Sequence, residues 1–298
     1  MRTRALLHEG AAVRVLDNFS TGKRSNLGPH LQHLELKEGD LRSFTAVQSA
    51  VRGMEVVFHL GALPSVPRSV ADPLTTNEVN VLGTLHVLEA ARDSGAARVV
   101  FASSASVCGA AEQLPVSESL LPDPISPYGV SKLAGETYCQ CFARTYGVEA
   151  VALRYFNVFG PAQDRESSYT GVMAIFMSRF LDGGPLTIDG DGEQTKDFTY
   201  VDNVVHANLL AAQAEAIGGE VFNAACGSGT SVNQIVEILK GLSPERPEIT
   251  HGPPRVGDIR HSRADISKAR EVLGFEPLVD AEEGIRRTFE WYRTNRKP

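Results

Sequence analysis

A chain of 298 residues that is 42% apolar and 22% charged can bury a substantial core, which excludes wholesale disorder and any need for a disulfide framework. Its 29 lysines and arginines face 36 aspartates and glutamates, for a net charge of -7. The basic residues are nowhere concentrated, so nucleic acid is an unpromising partner and an anionic ligand needs a local site.

The opening Met1–Gly10 stretch is basic and carries only Ala5-Leu6-Leu7 as an apolar run, so it reads as no secretory signal. No run approaches the ~18 apolar residues of a membrane span. Val13-Arg14-Val15-Leu16 reads as a strand ending at Asp17-Asn18, and Leu34-Glu35-Leu36 as another before Gly39-Asp40. A helical pattern covers Ser43–Val51, and Val56–Leu60 is a buried strand between Gly53 and Gly61. Val81, Leu82, Leu85 and Leu88 give Asp72–Arg92 a helical period. Arg98–Ser103 is the next strand, Pro127–Tyr146 the next helix, and Ala150–Tyr155 the last strand of the series. Alternating helices and continuously apolar strands predict an α/β fold with a doubly wound, Rossmann-like parallel sheet. In such sheets ligands bind at the strand carboxyl ends, where Asp17, Asp40, His59–Ala62 and Ser103-Ser104 fall.

After Phe156 glycine and proline become frequent and the elements shorten. Ser231 is placed to cap a helix from Val232 to about Leu242, and Asp265 one ending before Gly274. The expected division is therefore 1–156 as the dinucleotide-binding domain and 157–298 as a smaller mixed α/β substrate lobe, with segments around 197–226 returning to the sheet. Cys108, Cys139, Cys141 and Cys226 show no zinc spacing, so no metal is expected. Cys139 and Cys141, two apart, point to different helix faces, and all four read as reduced thiols of a cytoplasmic protein.

The sharpest chemical feature is Tyr128-Gly-Val-Ser-Lys132 near the start of a predicted helix. Four residues apart, the phenol and ammonium share a helix face, and a neighbouring cation favours the phenolate. Tyr128 is thus expected to have a lowered pKa and to act as an acid/base. Ser103-Ser104 ends a buried strand 24 residues earlier, placing a hydroxyl where it can share a substrate proton.

Ser103–Val107, Ser126–Lys132, Leu153–Gly160, Asp191–Phe198 and Gly257–Asp265, in that order, resemble the extended short-chain dehydrogenase/reductases that act on nucleotide sugars. Within these the chain is most similar to the NAD-dependent UDP-hexose 4-epimerases, especially the branch acting on UDP-N-acetylhexosamines. The resemblance implies a hydride shuttle through a 4-keto sugar, with Tyr128 and Ser104 handling the proton and Lys132 holding the nicotinamide ribose. It implies NAD contacts at Asp17, Asn18, Asp40, Leu41, Leu60, Gly61, Ala62, Asn80 and Tyr155, besides Tyr128 and Lys132. Asp17 favours NAD over NADP, since a carboxylate accepts from ribose hydroxyls and repels a 2′-phosphate. For the UDP-sugar it implies Asn157, Val172, Lys196, Arg255 and Asp258, with Ser65, Arg68 and Ser104 facing the sugar. Ser262 stands where a bulky aromatic would exclude an N-acetyl group, so its small size leaves room. A homodimer is implied too, through the helix carrying Tyr128.

Two departures stand out. The Gly-x-x-Gly-x-x-Gly phosphate loop and first strand of the resembling family have no counterpart; Val13–Leu16 corresponds to its second strand, and Met1 falls inside its first helix. Cys108 replaces a usual tyrosine. The alternatives are a nucleotide-sugar dehydratase or decarboxylase, or an inactive nucleotide-sugar-binding relative. The former place an acid after the hydroxyl residue, whereas Ala105-Ser106 follow Ser104 here.

Overall fold

The structure, a computed structural model, describes residues 2–111, 113–163, 171–254 and 259–295. A short helix α1 (Arg2–His8) leads into β1 (Val13–Asp17), followed by β2 (Leu34–Glu38) and α2 (Phe44–Val51), which Ser43 caps. Strand β3 (Val56–His59) is followed by α3 (Val66–Ala71), α4 (Pro73–Asn77) and α5 (Gly83–Ser94). The single helix expected over Asp72–Arg92 is instead α4 and α5 joined by a π-turn, Glu78–Leu82. The extra residue of such a turn shifts the helical phase, and Leu82 of the expected apolar face is exposed. Then come β4 (Arg98–Ser104), the twenty-residue α6 (Pro127–Tyr146) and β5 (Ala150–Tyr155). Ser126 caps α6 by accepting from Gly129 N at 3.1 Å, Pro127 occupies its first turn, and left-handed Gly147 ends it.

The rest of the chain runs β6 (Val158–Phe159), α7 (Val172–Asp182), β7 (Leu186–Asp189), β8 (Thr195–Lys196), β9 (Thr199–Tyr200) and α8 (Val201–Gln213). It continues with β10 (Val221–Ala224), β11 (Thr230–Ser231), α9 (Val232–Leu242), β12 (Ile249–Gly252), α10 (Ser267–Leu273) and α11 (Ala281–Thr294). Ser231 and Gln234 form a reciprocal capping box on α9. A separate apolar core, with Met177, Phe180, Ile235 and Phe289, joins α7, α9 and α11.

The main sheet is parallel in the order β10-β5-β4-β3. Side chains alternate across it: Val99, Phe101, Ala150 and Ala152 pack toward α2, α5 and α6, while Val100, Val151 and Leu153 meet α8 and α10. Both faces are covered, which is why these strands are apolar throughout. Each fully buried large apolar side chain here contributes roughly 1.5–3 kcal/mol.

Strands β1 and β2 pair with each other, parallel, as a separate two-stranded sheet. Among the described residues no strand pairs with the second edge of β1 or with the edge of β3 away from β4. The two sheets are joined instead by apolar packing: Leu16 of β1 and Val57 of β3 touch the same cluster as Val47 and Val51 of α2. All five residues of β1 are only half-buried, whereas β4 is buried from Arg98 to Ser103.

Helix α6 lies close on β4 because it presents glycine at the contacts. A Cβ at Gly135 would sit 2.3 Å from the Phe101 ring, and one at Gly129 would sit 2.5 Å from the Ser106 carbonyl oxygen. Gly129→Ala meets rigid backbone. It should lower unfolding stability by about 1–3 kcal/mol, despite alanine's helix advantage of about 1 kcal/mol. Chemical denaturation measures this, and an unchanged midpoint would show that the turn after β4 can yield.

Candidate active site

The carboxyl end of β4 and the first turns of α6 bring together the serine, tyrosine and lysine. Ser104 is the last residue of its strand; its hydroxyl donates to Ser106 Oγ at 3.2 Å and lies close enough to the Tyr128 phenol to act on its ionisation. The same oxygen accepts from Ser106 N at 3.1 Å, which starts the turn Ala105–Cys108. Lys132 is 4% exposed; its Nζ donates to the Ala102 carbonyl at 2.8 Å and lies 5.9 Å from the Tyr128 ring centroid. It also stands over the Phe101 ring, at 5.0 Å.

The electrostatics correct one expectation. Burial raises the Tyr128 pKa, and the neighbouring Ser104 hydroxyl, not Lys132, opposes that rise. Burial also brings the Lys132 ammonium down to about 8, so its charge is costly where it sits. Behind it, buried His59 is driven to about 3, by desolvation first and by the Lys132 charge second, and stays neutral. One of its ring nitrogens, Nε2, is 2.8 Å from Thr84 Oγ1.

A buried polar clasp, invisible in the motif, orients the tyrosine. The π-turn aims Asn80 inward, 2% exposed, where Oδ1 accepts from Leu63 N at 2.8 Å. Its Nδ2 donates to Leu63 O and to Ser131 Oγ, and Ser131 donates in turn to Tyr128 O. Ser69 accepts from Tyr128 N at 3.0 Å and donates to Val66 O. Asn80 was expected on the cofactor; here its amide hydrogens go to protein partners, joining the loop after β3 to α6. Ser69 and Ser131 escaped sequence reasoning, because a serine within a helix carries no signal of its tertiary partner.

At the end of β1, Asp17 accepts from Phe19 N at 2.7 Å, with Gly22 so close that a side chain there would crowd the carboxylate. Asn18 donates to Asp40 at 2.9 Å. Asp40 is further gripped by the Arg42 guanidinium and backbone, which holds its carboxyl well below the usual range. Arg42 was missed, although its two-residue spacing from Asp40 was there to be read. Leu41 wedges where a Cβ at Gly61 or Gly83 would stand, 2.8 Å away in each case. Leu60 is exposed at the sheet end, beside Gly61 and half-buried Ala62. Tyr155 ends β5 with its side chain on the α8 face, its hydroxyl donating to Asn208 at 2.9 Å.

On the substrate side a cavity of about 130 Å³ adjoins the turn after Ser104. Ala105, Ser106, Cys108, Asn157, Lys196, His261 and Ser262 line it. Asn157 holds a left-handed backbone (φ 36°), with Nδ2 donating to Asp197 O at 3.2 Å. Lys196 donates to Ile259 O, and Ser262 N to Thr195 O at 3.0 Å. Ser65 is committed to capping α3, accepting from Arg68 N at 3.1 Å, and Arg68 is half-buried. Val172 opens α7 and packs on the second core. Arg255 and Asp258 lie outside the described residues.

These residues fit a nicotinamide dinucleotide at its two ends. A carboxylate at a strand end suits vicinal ribose hydroxyls, and a buried lysine beside a phenol suits the nicotinamide ribose. For the pyrophosphate, no glycine-rich loop opens a helix among the described residues.

A doubly wound sheet with this serine, tyrosine and lysine at its carboxyl end defines a dinucleotide-dependent enzyme. The chain belongs to the NAD dependent epimerase/dehydratase family, whose profile matches residues 2–225, and NAD is its cofactor. It is 39% identical over 299 residues to a UDP-glucose 4-epimerase of Mycolicibacterium smegmatis, covering 97% of this chain and 93% of that one. The UDP-N-acetylglucosamine 4-epimerase of Methanobrevibacter ruminantium, solved with UDP-N-acetylmuramic acid, superimposes with a TM-score of 0.93 at 37% identity, covering 98% and 94% of the two chains. The Thermus thermophilus UDP-glucose 4-epimerase, solved with NAD, gives 0.89 at 36% identity, covering 99% and 95%.

Because the folded pKa of Lys132 is depressed, the unfolded chain binds more protons above about pH 8, and stability contributed by this group rises with pH from there. The unfolding free energy of the wild type relative to Lys132→Met should therefore increase between about pH 8 and pH 10. A pH-independent difference would contradict a buried ammonium.

Proposed function

We propose that the protein is a UDP-hexose 4-epimerase acting on UDP-N-acetylglucosamine, UDP-glucose or both, through a 4-keto sugar. The observation that carries this reading is the Tyr128 phenol beside the Ser104 hydroxyl and buried Lys132, next to a cavity to which Ala105, Ser106, Cys108 and Ser262 contribute small side chains. Tyr128 takes the proton of the sugar 4-hydroxyl, Ser104 steadies the shared proton, and Lys132 holds the nicotinamide ribose. Bound NAD supplies the hydride acceptor. Asp17 and Asn18 receive the adenosine ribose, and Arg255, Asp258, Asn157 and Lys196 the UDP moiety. Residues 1–156 form the cofactor domain and 157–298 mainly the substrate lobe, with 197–226 returning to the sheet.

Ser262, Ser106, Ala105 and Cys108 leave space beside the sugar, which supports acceptance of an N-acetyl group. Elimination or decarboxylation is disfavoured, since Ala105-Ser106 follow Ser104 in place of an acid. Val70, Leu74 and Val130 are exposed on α3, α4 and α6, which pack together, and this supports a homodimer through that face. Free cysteines and a lack of helices able to cross a membrane, both among the described residues, are compatible with a cytoplasmic enzyme.

Both epimer pairs should be turned over; good turnover of UDP-glucose with none of UDP-N-acetylglucosamine would refute the N-acetyl reading. Tyr128→Phe should reduce kcat by about 10²–10⁴-fold while UDP-sugar binding persists. Absence of turnover by the wild type, with nucleotide-sugar binding retained, would make the chain a binding protein. Sedimentation of the wild type against Leu74→Glu should show a dimer converted to monomer.

A further inference from the structure

Three residues on one face of α6, each four apart, engage three consecutive residues of β4. Tyr128 meets the hydroxyl of Ser104, Lys132 the carbonyl of Ala102, and Glu136 the hydroxyl of Ser103, which donates to it. Tyr128 and Lys132 are accounted for by the proposed chemistry. Glu136 is not; it is 2% exposed, and both its carboxylate oxygens are engaged by protein partners.

Its partner is Arg154, 3% exposed, which stands directly opposite Ser103 in the β4–β5 register. The guanidinium grips the carboxylate with two parallel bonds, Nε to Oε1 at 2.9 Å and Nη2 to Oε2 at 2.8 Å. Its remaining nitrogen, Nη1, reaches Cys108 Sγ at 3.8 Å. The pair thus touches the chain on both sides of the turn that carries Ser104 and Ser106: Ser103 just before it, through Glu136, and Cys108 at its end, through Arg154. Cys108 and Ser106 also line the substrate cavity.

A buried ion pair is a weak source of stability, because desolvation offsets most of its attraction and apolar replacements often fold as well. A bidentate fork does impose one geometry. We propose that Glu136 and Arg154 are positioning residues, which act through Ser103 and Cys108 to hold Ser104 in register with the Tyr128 phenol. The assignment rests on the 4-epimerase reading for its kinetic consequence, though not for its structural one.

Ser103→Ala severs the link while leaving the ion pair intact. It should lower kcat on the order of tenfold, as expected for a small misplacement of a reacting group, with KM and the thermal midpoint close to wild type. Ser103→Thr, which keeps the hydroxyl, should restore kcat. The paired variant Glu136→Leu with Arg154→Met, free of buried charge, should fold and lose at least as much kcat. A readout without turnover is amide exchange in NAD-free protein, where Ser103→Ala should accelerate exchange at Ser104–Ser106. Wild-type kcat in Ser103→Ala, or unaltered exchange at that turn, would overturn the proposal. An inactive wild type whose exchange still responds would count against the 4-epimerase reading alone.

Discussion

The close approach of α6 to β4 is the contact on which the rest of the site depends. Two glycines let the helix backbone settle against the Phe101 ring and the Ser106 carbonyl, closer than any side chain would allow. Only at that distance can a lysine from the helix reach a strand carbonyl, and a tyrosine the hydroxyl at the strand end. The helix cap at Ser126 and the bonds from Ser69 and Ser131 then fix where along the helix axis the tyrosine falls. Packing, capping and chemistry are a single constraint in this region.

That constraint has an electrostatic cost that the site retains. Lys132 is buried against an aromatic face with one carbonyl as acceptor, and His59 behind it is kept neutral. In a low-dielectric setting the same burial that penalises each charge also magnifies every remaining interaction. A phenol that resists ionisation in the protein alone therefore has most to gain when positive charge arrives beside it. In the protein alone, burial favours the protonated phenol of Tyr128.

Much of this was legible in the chain. Apolar runs at Arg98–Ser103 and Ala150–Tyr155 match parallel strands buried on both faces, whereas the run at Val56–Leu60, expected to be buried, forms an edge strand with Val56–Phe58 half-buried and Leu60 exposed. The four-residue step from Tyr128 to Lys132 and the Ser126-Pro127 start gave the site its helix. The i+4 series in fact continues to Glu136, but a buried glutamate looks no different in sequence from an exposed one. Asn80 is legible only through the family resemblance, because its inward direction depends on a π-turn that residue pattern does not announce. Tyr128's acidity was misjudged because spacing reports proximity and says nothing of desolvation. Tyr155 ends a strand whose neighbours alternate faces, and counting from Leu153 would have put it on the α8 side.

The divided sheet bears on the site through geometry. Asp17 sits on the two-stranded piece and Ser104 on the four-stranded one; the pieces are joined by apolar packing and by polar contacts, Arg14 donating to the Ala50 and Arg52 carbonyls and His86 Nδ1 lying 2.8 Å from Leu41 O. Hydrogen-bonded strands fix relative position to within a fraction of an ångström, while a cluster such as Leu16, Val47 and Val57 is non-directional and tolerates sliding. The serine, tyrosine and lysine stand on β4 and α6, which the Glu136–Arg154 pair ties to β5 and the Asn80 clasp ties to the loop after β3.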